Sequence, residues 1–392
     1  MNERKYFIDW IRVLAFFLLI LFHCAMPFVM YGWEIKNPTQ YKGLTSFIWW
    51  LHQWRLPLLF FVSGVGINYA LKKRSVLSFA GERVVRLFIP LLFAMFFTIP
   101  LQVYFEWLQE GKITMSYASF YPSVWDMVPY PDGSLTWSHM WFVVYLFVFC
   151  ILLLPVFALF KIKRLARFRI RLAEQLSHPV VAALLFIPFT VYYFTLYLEY
   201  PEQQSLFDDW FVFIFSISLL FYGYILSASG RFWDTCEKYS YYFLSIAAVC
   251  IGFLFYNYWA TLDFPKQKDA RLYTYGTLNA VQIWFLIMGF IGLAKKHLNF
   301  SNRFLGYTNK AVYPFYILHQ TIIVAAGYYV VQWPLPDAVK FIVLVVCCFG
   351  AVFLIYHFLI RPFVVTRILY GLKPRDTKKQ RPAQQPAEHF AA

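Results

Sequence analysis

Ten apolar stretches, approximately 10–31, 46–71, 84–107, 139–160, 180–199, 210–229, 241–261, 277–295, 311–331 and 338–360, alternate with short polar segments along the chain. Each is long enough to cross about 30 Å of hydrocarbon as a helix. This pattern predicts an all-α, polytopic membrane protein with about ten transmembrane helices. One transmembrane domain over 1–372 is expected, followed by a disordered tail over 373–392 that is rich in Pro, Gln and Lys.

Composition agrees with the pattern. Hydrophobic residues make up 60% of the chain and charged residues 14%, with a mean hydropathy of +0.55, whereas soluble globular proteins carry about 25% charged residues. The formal net charge is +15, but its distribution argues for orientation and against a nucleic-acid partner. With the N-terminus placed in the cytoplasm, the inner segments hold 26 of the 35 lysines and arginines, while 12 of the 20 acidic residues fall outside. The positive-inside rule then predicts both termini in the cytoplasm. The stretch KIKRLARFRIRLAEQ reads as a basic amphipathic segment lying on anionic lipid headgroups. The first apolar run is too long for a secretory signal and lacks a small-residue cleavage site, which makes it a mature span.

That first span, DWIRVLAFFLLILFHCAMPF, carries an arginine and a histidine where lipid would forbid both. Arg12 and His23 are eleven residues apart, about 20° past three whole turns, so they share one face of the helix. Their alpha carbons are separated by roughly 16 Å along the axis, the reach of a long, thin ligand with an anionic end. Ionisable groups inside a membrane helix point to function. The alternative for His23 is a hydrogen bond to a neighbouring helix that serves packing alone.

Other polar residues punctuate the apolar runs. The second span opens with His52, Gln53 and Arg55 and then carries Ser63, Gly64, Gly66 and Asn68, a mixture suited to a close ligand or to ordinary helix packing. Arg83 and Arg86 are one turn apart before the third span, on the same predicted side as Arg12, and form a forked donor pair for phosphate oxygens. The outer loop of roughly 108–138 is dense in aromatics, namely Tyr117, Tyr121, Trp125, Tyr130 and Trp137, and leads into His139 and Trp141. Such a surface suits sugar rings or the membrane interface. Asn279 and Gln282 interrupt the eighth span, and His319 and Gln320 the ninth. The six cysteines show neither a disulfide nor a metal-binding arrangement, and no metal is expected.

A coupled transporter needs a carboxylate inside the membrane, and Asp9 and Glu106 sit only at span edges. Group transfer across the membrane fits better. Arg12, Arg83 and Arg86 would hold donor phosphates, and neutral His23 would take the proton of an acceptor hydroxyl. A polytopic carrier or exporter of a glycan or small anionic metabolite, without acyl transfer, remains the alternative.

At these residues the chain resembles the acyltransferase family 3 integral membrane proteins, and within them the glucan biosynthesis protein C branch, the succinyl transferases of periplasmic glucans. The resemblance rests on Arg12, ten residues and His23, on the segment RLPLLFFVSG, and on Arg83-Val-Val-Arg86, with HMWF and YILH as shorter matches. It implies a multi-pass protein of the cell membrane that takes acyl-CoA as its donor substrate, binds no permanent cofactor, and O-acylates a carbohydrate at the outer face. It also implies His23 as the catalytic residue and Arg12, Arg83 and Arg86 as donor contacts. His52, Ser63, Asn68, His139, Trp141 and His319 are candidate acceptor-binding or supporting residues. The expected partners are acyl-CoA, a carbohydrate acceptor and membrane lipid, with no nucleic acid.

Overall fold

A computed structural model describes residues 4–374, so the predicted tail beyond Pro374 lies outside the described residues. Eleven principal helices follow one another: α1 (Tyr6–Phe28), α2 (Lys42–Lys72), α3 (Val76–Gln109), α4 (Ser138–Leu152), α5 (Lys163–Leu176), α6 (Pro179–Thr195), α7 (Trp210–Leu226), α8 (Gly230–Trp259), α9 (Ala270–His297), α10 (Arg303–Val330) and α11 (Asp337–Ile360). No strand is present among the described residues. In hydrocarbon the backbone must satisfy its own polar groups, and helices do so within a single segment. Side chains mark several starts. Ser229, Asp269 and Asn302 cap α8, α9 and α10 by accepting from the backbone N–H of Arg231, Leu272 and Leu305.

Each of the ten apolar stretches coincides with helix, but six helices are long and apolar enough to cross a membrane, or seven if α5 and α6 form one bent span. The difference has local causes. The 139–160 stretch breaks at Leu153, before Pro155, leaving α4 and a short helix over Leu154–Leu159. The 180–199 stretch turns by 90° from the basic amphipathic α5. The 210–229 stretch yields 17 helical residues, and α10 is 28 residues long but carries a line of polar groups. The fold is a multi-pass membrane bundle.

Two close helix pairs set its frame. Between α2 and α7, a Cβ on Gly64 would fall 1.9 Å from the Leu220 carbonyl oxygen, and one on Gly223 would fall 2.0 Å from that of Phe61. Between α8 and α9, a Cβ on Gly292 would fall 2.0 Å from the Cys236 carbonyl oxygen. Lacking a hydrophobic drive in lipid, membrane helices associate through such backbone approaches. Cys236 is therefore buried in a helix contact. Helix α1 is largely buried, and its Arg12 and His23 both turn toward α10: Arg12 Nη1 donates to Asn309 Oδ1 at 3.3 Å, and His23 Nδ1 lies 3.0 Å from His319 Nε2. The matching intervals mean that α1 and α10 run in parallel.

Candidate active site

Arg12 and His23 do share a face of α1, but they open onto different places. His23 lines a cavity of about 690 Å³, walled by α1, α2, α3, α4, α10 and the loops around Glu34, Tyr130 and Glu202. That volume is within the range of small-molecule sites. Arg12, Arg83 and Arg86 are not part of its lining and mark the opposite, basic end of the bundle.

At the cavity floor two histidines are coupled end to end. His319 is buried with Nδ1 2.6 Å from the Tyr316 carbonyl oxygen, which can only accept, so Nδ1 carries the proton and Nε2 is an acceptor. His23 Nδ1 then donates toward His319 Nε2, and the Leu19 carbonyl oxygen, 3.0 Å away, also calls for a proton there. His23 Nε2 is left with its lone pair, the form a general base requires. His139 joins the cluster with Nε2 3.2 Å from the Tyr316 carbonyl oxygen and 3.3 Å from that of Ile317, while the Tyr316 hydroxyl donates to the His139 carbonyl. The His139 and His319 rings are 5.2 Å apart, perpendicular to one another.

The walls combine carboxylates with aromatics. Gln320 Nε2 donates to Glu34 Oε1 at 2.5 Å, and Ser138 Oγ donates to Gln102 at 3.0 Å. Burial pushes the Glu34 carboxyl up to about 7, with repulsion from Glu106 adding to the effect. The folded protein thus keeps a proton on Glu34 that the unfolded chain releases in the ordinary carboxylate range. This contribution to stability is present at acidic pH and lost as pH rises through about 7. Glu34→Gln is expected to flatten the fall in melting temperature between about pH 5 and pH 8. An unaltered slope would contradict the assignment. On the facing wall, His52 Nε2 lies 2.8 Å from Glu202 Oε2. Burial pushes Glu202 up, but His52, Gln204 and Arg55 outweigh it and hold the carboxylate below its usual value.

The candidate residues divide. His23, His52, His139 and Trp141 line the cavity, and His319 supports His23 from behind. Ser63 and Asn68 do not line it. Ser63 Oγ donates to the Leu59 carbonyl at 2.7 Å within its own helix. Asn68 joins α2 to α7 and α5 by donating to Ser227 Oγ at 2.9 Å and accepting from Arg169 Nη1 at 3.1 Å. Of the loop aromatics, Tyr130 lines the cavity, whereas Trp125 stacks on Phe96 and Trp137 donates to the Gln204 carbonyl. Trp33, Trp49 and Trp141 supply the indoles of the wall.

At the basic end, Arg83 and Arg86 are engaged by Glu82 at 3.2 and 3.3 Å, and Arg74 pairs with the same carboxylate. Three guanidinium groups around one carboxylate leave an excess of positive charge. Arg86 Nε also donates to the Gly371 carbonyl at 3.1 Å, and Gly66 leaves open space beside Arg12 Nη2.

The structure adds Glu34 and Glu202 to the site and singles out Arg55 from the polar opening of the second span. Arg55 carried a signal, since it follows His52 by one turn and shares its face. Glu34 and Glu202 belong to loops that meet only in the folded chain.

Paired imidazoles at the foot of a cavity sunk into a membrane bundle suit a membrane-embedded group-transfer enzyme. Residues 5–357 match the family model described as an acyltransferase domain, and the chain belongs to that family. It is a membrane acyltransferase. The chain is similar to the glucans biosynthesis protein C of Salmonella paratyphi B, Salmonella dublin and Salmonella enteritidis, each 22% identical over 408 residues that cover 97% of this chain and 98% of the relative. No solved structure matches the chain at a level that carries an argument.

Proposed function

We propose that the protein transfers an acyl group from acyl-CoA, taken from the cytoplasm at the basic end, to a hydroxyl of a carbohydrate held in the cavity at the outer face of the cell membrane. The observation that carries this reading is the His23 ring, oriented by His319 and lining a large, aromatic-walled cavity. The acceptor hydroxyl gives its proton to His23 Nε2 as its oxygen forms a bond to the thioester carbon. The carbon–sulfur bond breaks, and the imidazolium returns the proton to the departing thiolate, leaving an ester and free coenzyme A. Trp33, Trp49 and Trp141 offer faces for sugar rings. The glycan class is supported by the names of the relatives.

Arg12, Arg83 and Arg86 would receive the donor phosphates, with Glu82 yielding its contacts to them. The extended arm then passes along α1 beside Gly66. Arg83→Ala and Arg86→Ala are each expected to raise the KM for acyl-CoA by about tenfold, the size of one or two charge-assisted contacts, and to leave the KM for the acceptor unchanged. Equal effects on both substrates would contradict the assignment. The broader test is consumption of acetyl-CoA or succinyl-CoA by purified protein in detergent with a β-glucan oligosaccharide, read as free thiol and as added acyl mass on the glycan. A carrier would release no thiol.

A further inference from the structure

Arg55 stands apart from every other cation in the bundle. It is 1% exposed, and Nε and Nη1 of its guanidinium have no hydrogen-bond partner among the described residues. It is also the one lysine or arginine among the described residues that line the cavity. Its Cζ sits 3.8 Å from the centroid of the Phe22 ring, and Phe22 in turn meets the His23 ring edge to face at 5.2 Å. Phe22 therefore fixes the guanidinium beside the imidazole.

A permanently charged group with buried, unpaired donors costs stability and persists where something else repays it. The aromatic face repays a part, since cation–π attraction is modest. Glu202 lies within electrostatic range, but its carboxylate is bonded to His52. Arg55 thus brings an unneutralised charge and unpaired donors to the wall of the cavity, beside the path of any anionic oxygen that enters.

We propose that Arg55 is the electrophilic group of the site and that the oxygen it receives is the acyl carbonyl oxygen as it becomes an oxyanion. The inference rests on the acyl-transfer reading above. When the acceptor oxygen bonds to the thioester carbon, the carbonyl π electrons move onto oxygen, and the acceptor proton moves to His23 Nε2. A guanidinium already in place, in a water-poor wall, stabilises that charge without reorganising. When the carbonyl re-forms, the electron pair leaves with sulfur, and the oxygen's hold on Arg55 weakens. A planar group with several donors and a fixed charge suits this task better than a flexible ammonium.

The test uses the full-length protein in detergent with acetyl-CoA and succinyl-CoA as donors and a β-glucan oligosaccharide as acceptor. Arg55→Met is expected to lower kcat by about 100-fold to 1,000-fold, with the donor KM held within about threefold. Its melting temperature should equal or exceed that of the wild type, because an unpaired buried charge has been replaced by an apolar chain. Arg55→Lys should recover part of the lost rate. Three results would overturn the proposal: an Arg55→Met variant with near-wild-type kcat, one with a lowered melting temperature, and one whose loss appears only with succinyl-CoA and mainly in KM. The last would make Arg55 the seat of a carboxylate on the acyl chain. If the wild type turns over neither donor, the acyl-transfer reading itself falls, an outcome separable from the failure of Arg55 alone.

Discussion

His23→Ala is expected to lower acyl transfer by about a thousandfold or more, the upper part of the range for losing a positioned general base, with little effect on the fold. Among the described residues the side chain hydrogen-bonds only with the Leu19 carbonyl and with His319. It also borders an open cavity, so truncation leaves no buried acceptor stranded: water admitted from the cavity can reach His319 Nε2. The measurement is thiol release from acyl-CoA, alongside size-exclusion and thermal profiles of wild type and variant in the same detergent. Full transfer activity in a well-folded His23→Ala protein would remove the residue from its central role. Loss of both activity and fold would instead make it a packing residue of the α1–α10 contact.

The second large effect is structural. Gly64→Ala should destabilise the bundle by about 3 kcal/mol or more, at the upper end of the overpacking range. The added methyl would fall 1.9 Å from the Leu220 carbonyl oxygen and 2.9 Å from the Tyr224 nitrogen. Both neighbours are backbone, so relief demands that α2 and α7 move apart, which would also break the Gly223 approach to Phe61 on the same contact. Gly66→Ala, two residues away, is the matched control. Its Cβ would meet only Arg12 Nη2, at 3.8 Å, an ordinary contact. Melting curves of the two variants should therefore diverge, with Gly66→Ala near the wild type. Equal stability would mean that the α2–α7 contact has room for a methyl group at Gly64.

The sequence left Gly64 and Gly66 as equivalent small residues, open both to packing and to ligand approach. Their separation into a helix-contact glycine and one that leaves room beside Arg12 depends on which way α2 is rotated against α7. A similar ambiguity attended Ser63 and Asn68, whose polarity suggested a site. A hydroxyl in a membrane helix can bond back to its own carbonyl ladder, as Ser63 does, and an amide can join helices, as Asn68 does with Ser227 and Arg169. Polarity alone cannot tell glue from site.

What the chain's linear order determined was whatever depends on local periodicity and on solvent. The apolar runs dictated helices, because lipid allows no unpaired backbone. The eleven-residue interval put Arg12 and His23 on one face, and the two turn together to α10. What the tertiary structure alone decided was which polar groups meet. His319 reaches His23 from 296 positions away, Glu34 and Glu202 come to one cavity from separate loops, and Arg55 is left inside that cavity with unpaired donors. Pairings of this kind follow from helix rotation and packing across the whole bundle, which no local stretch of sequence encodes.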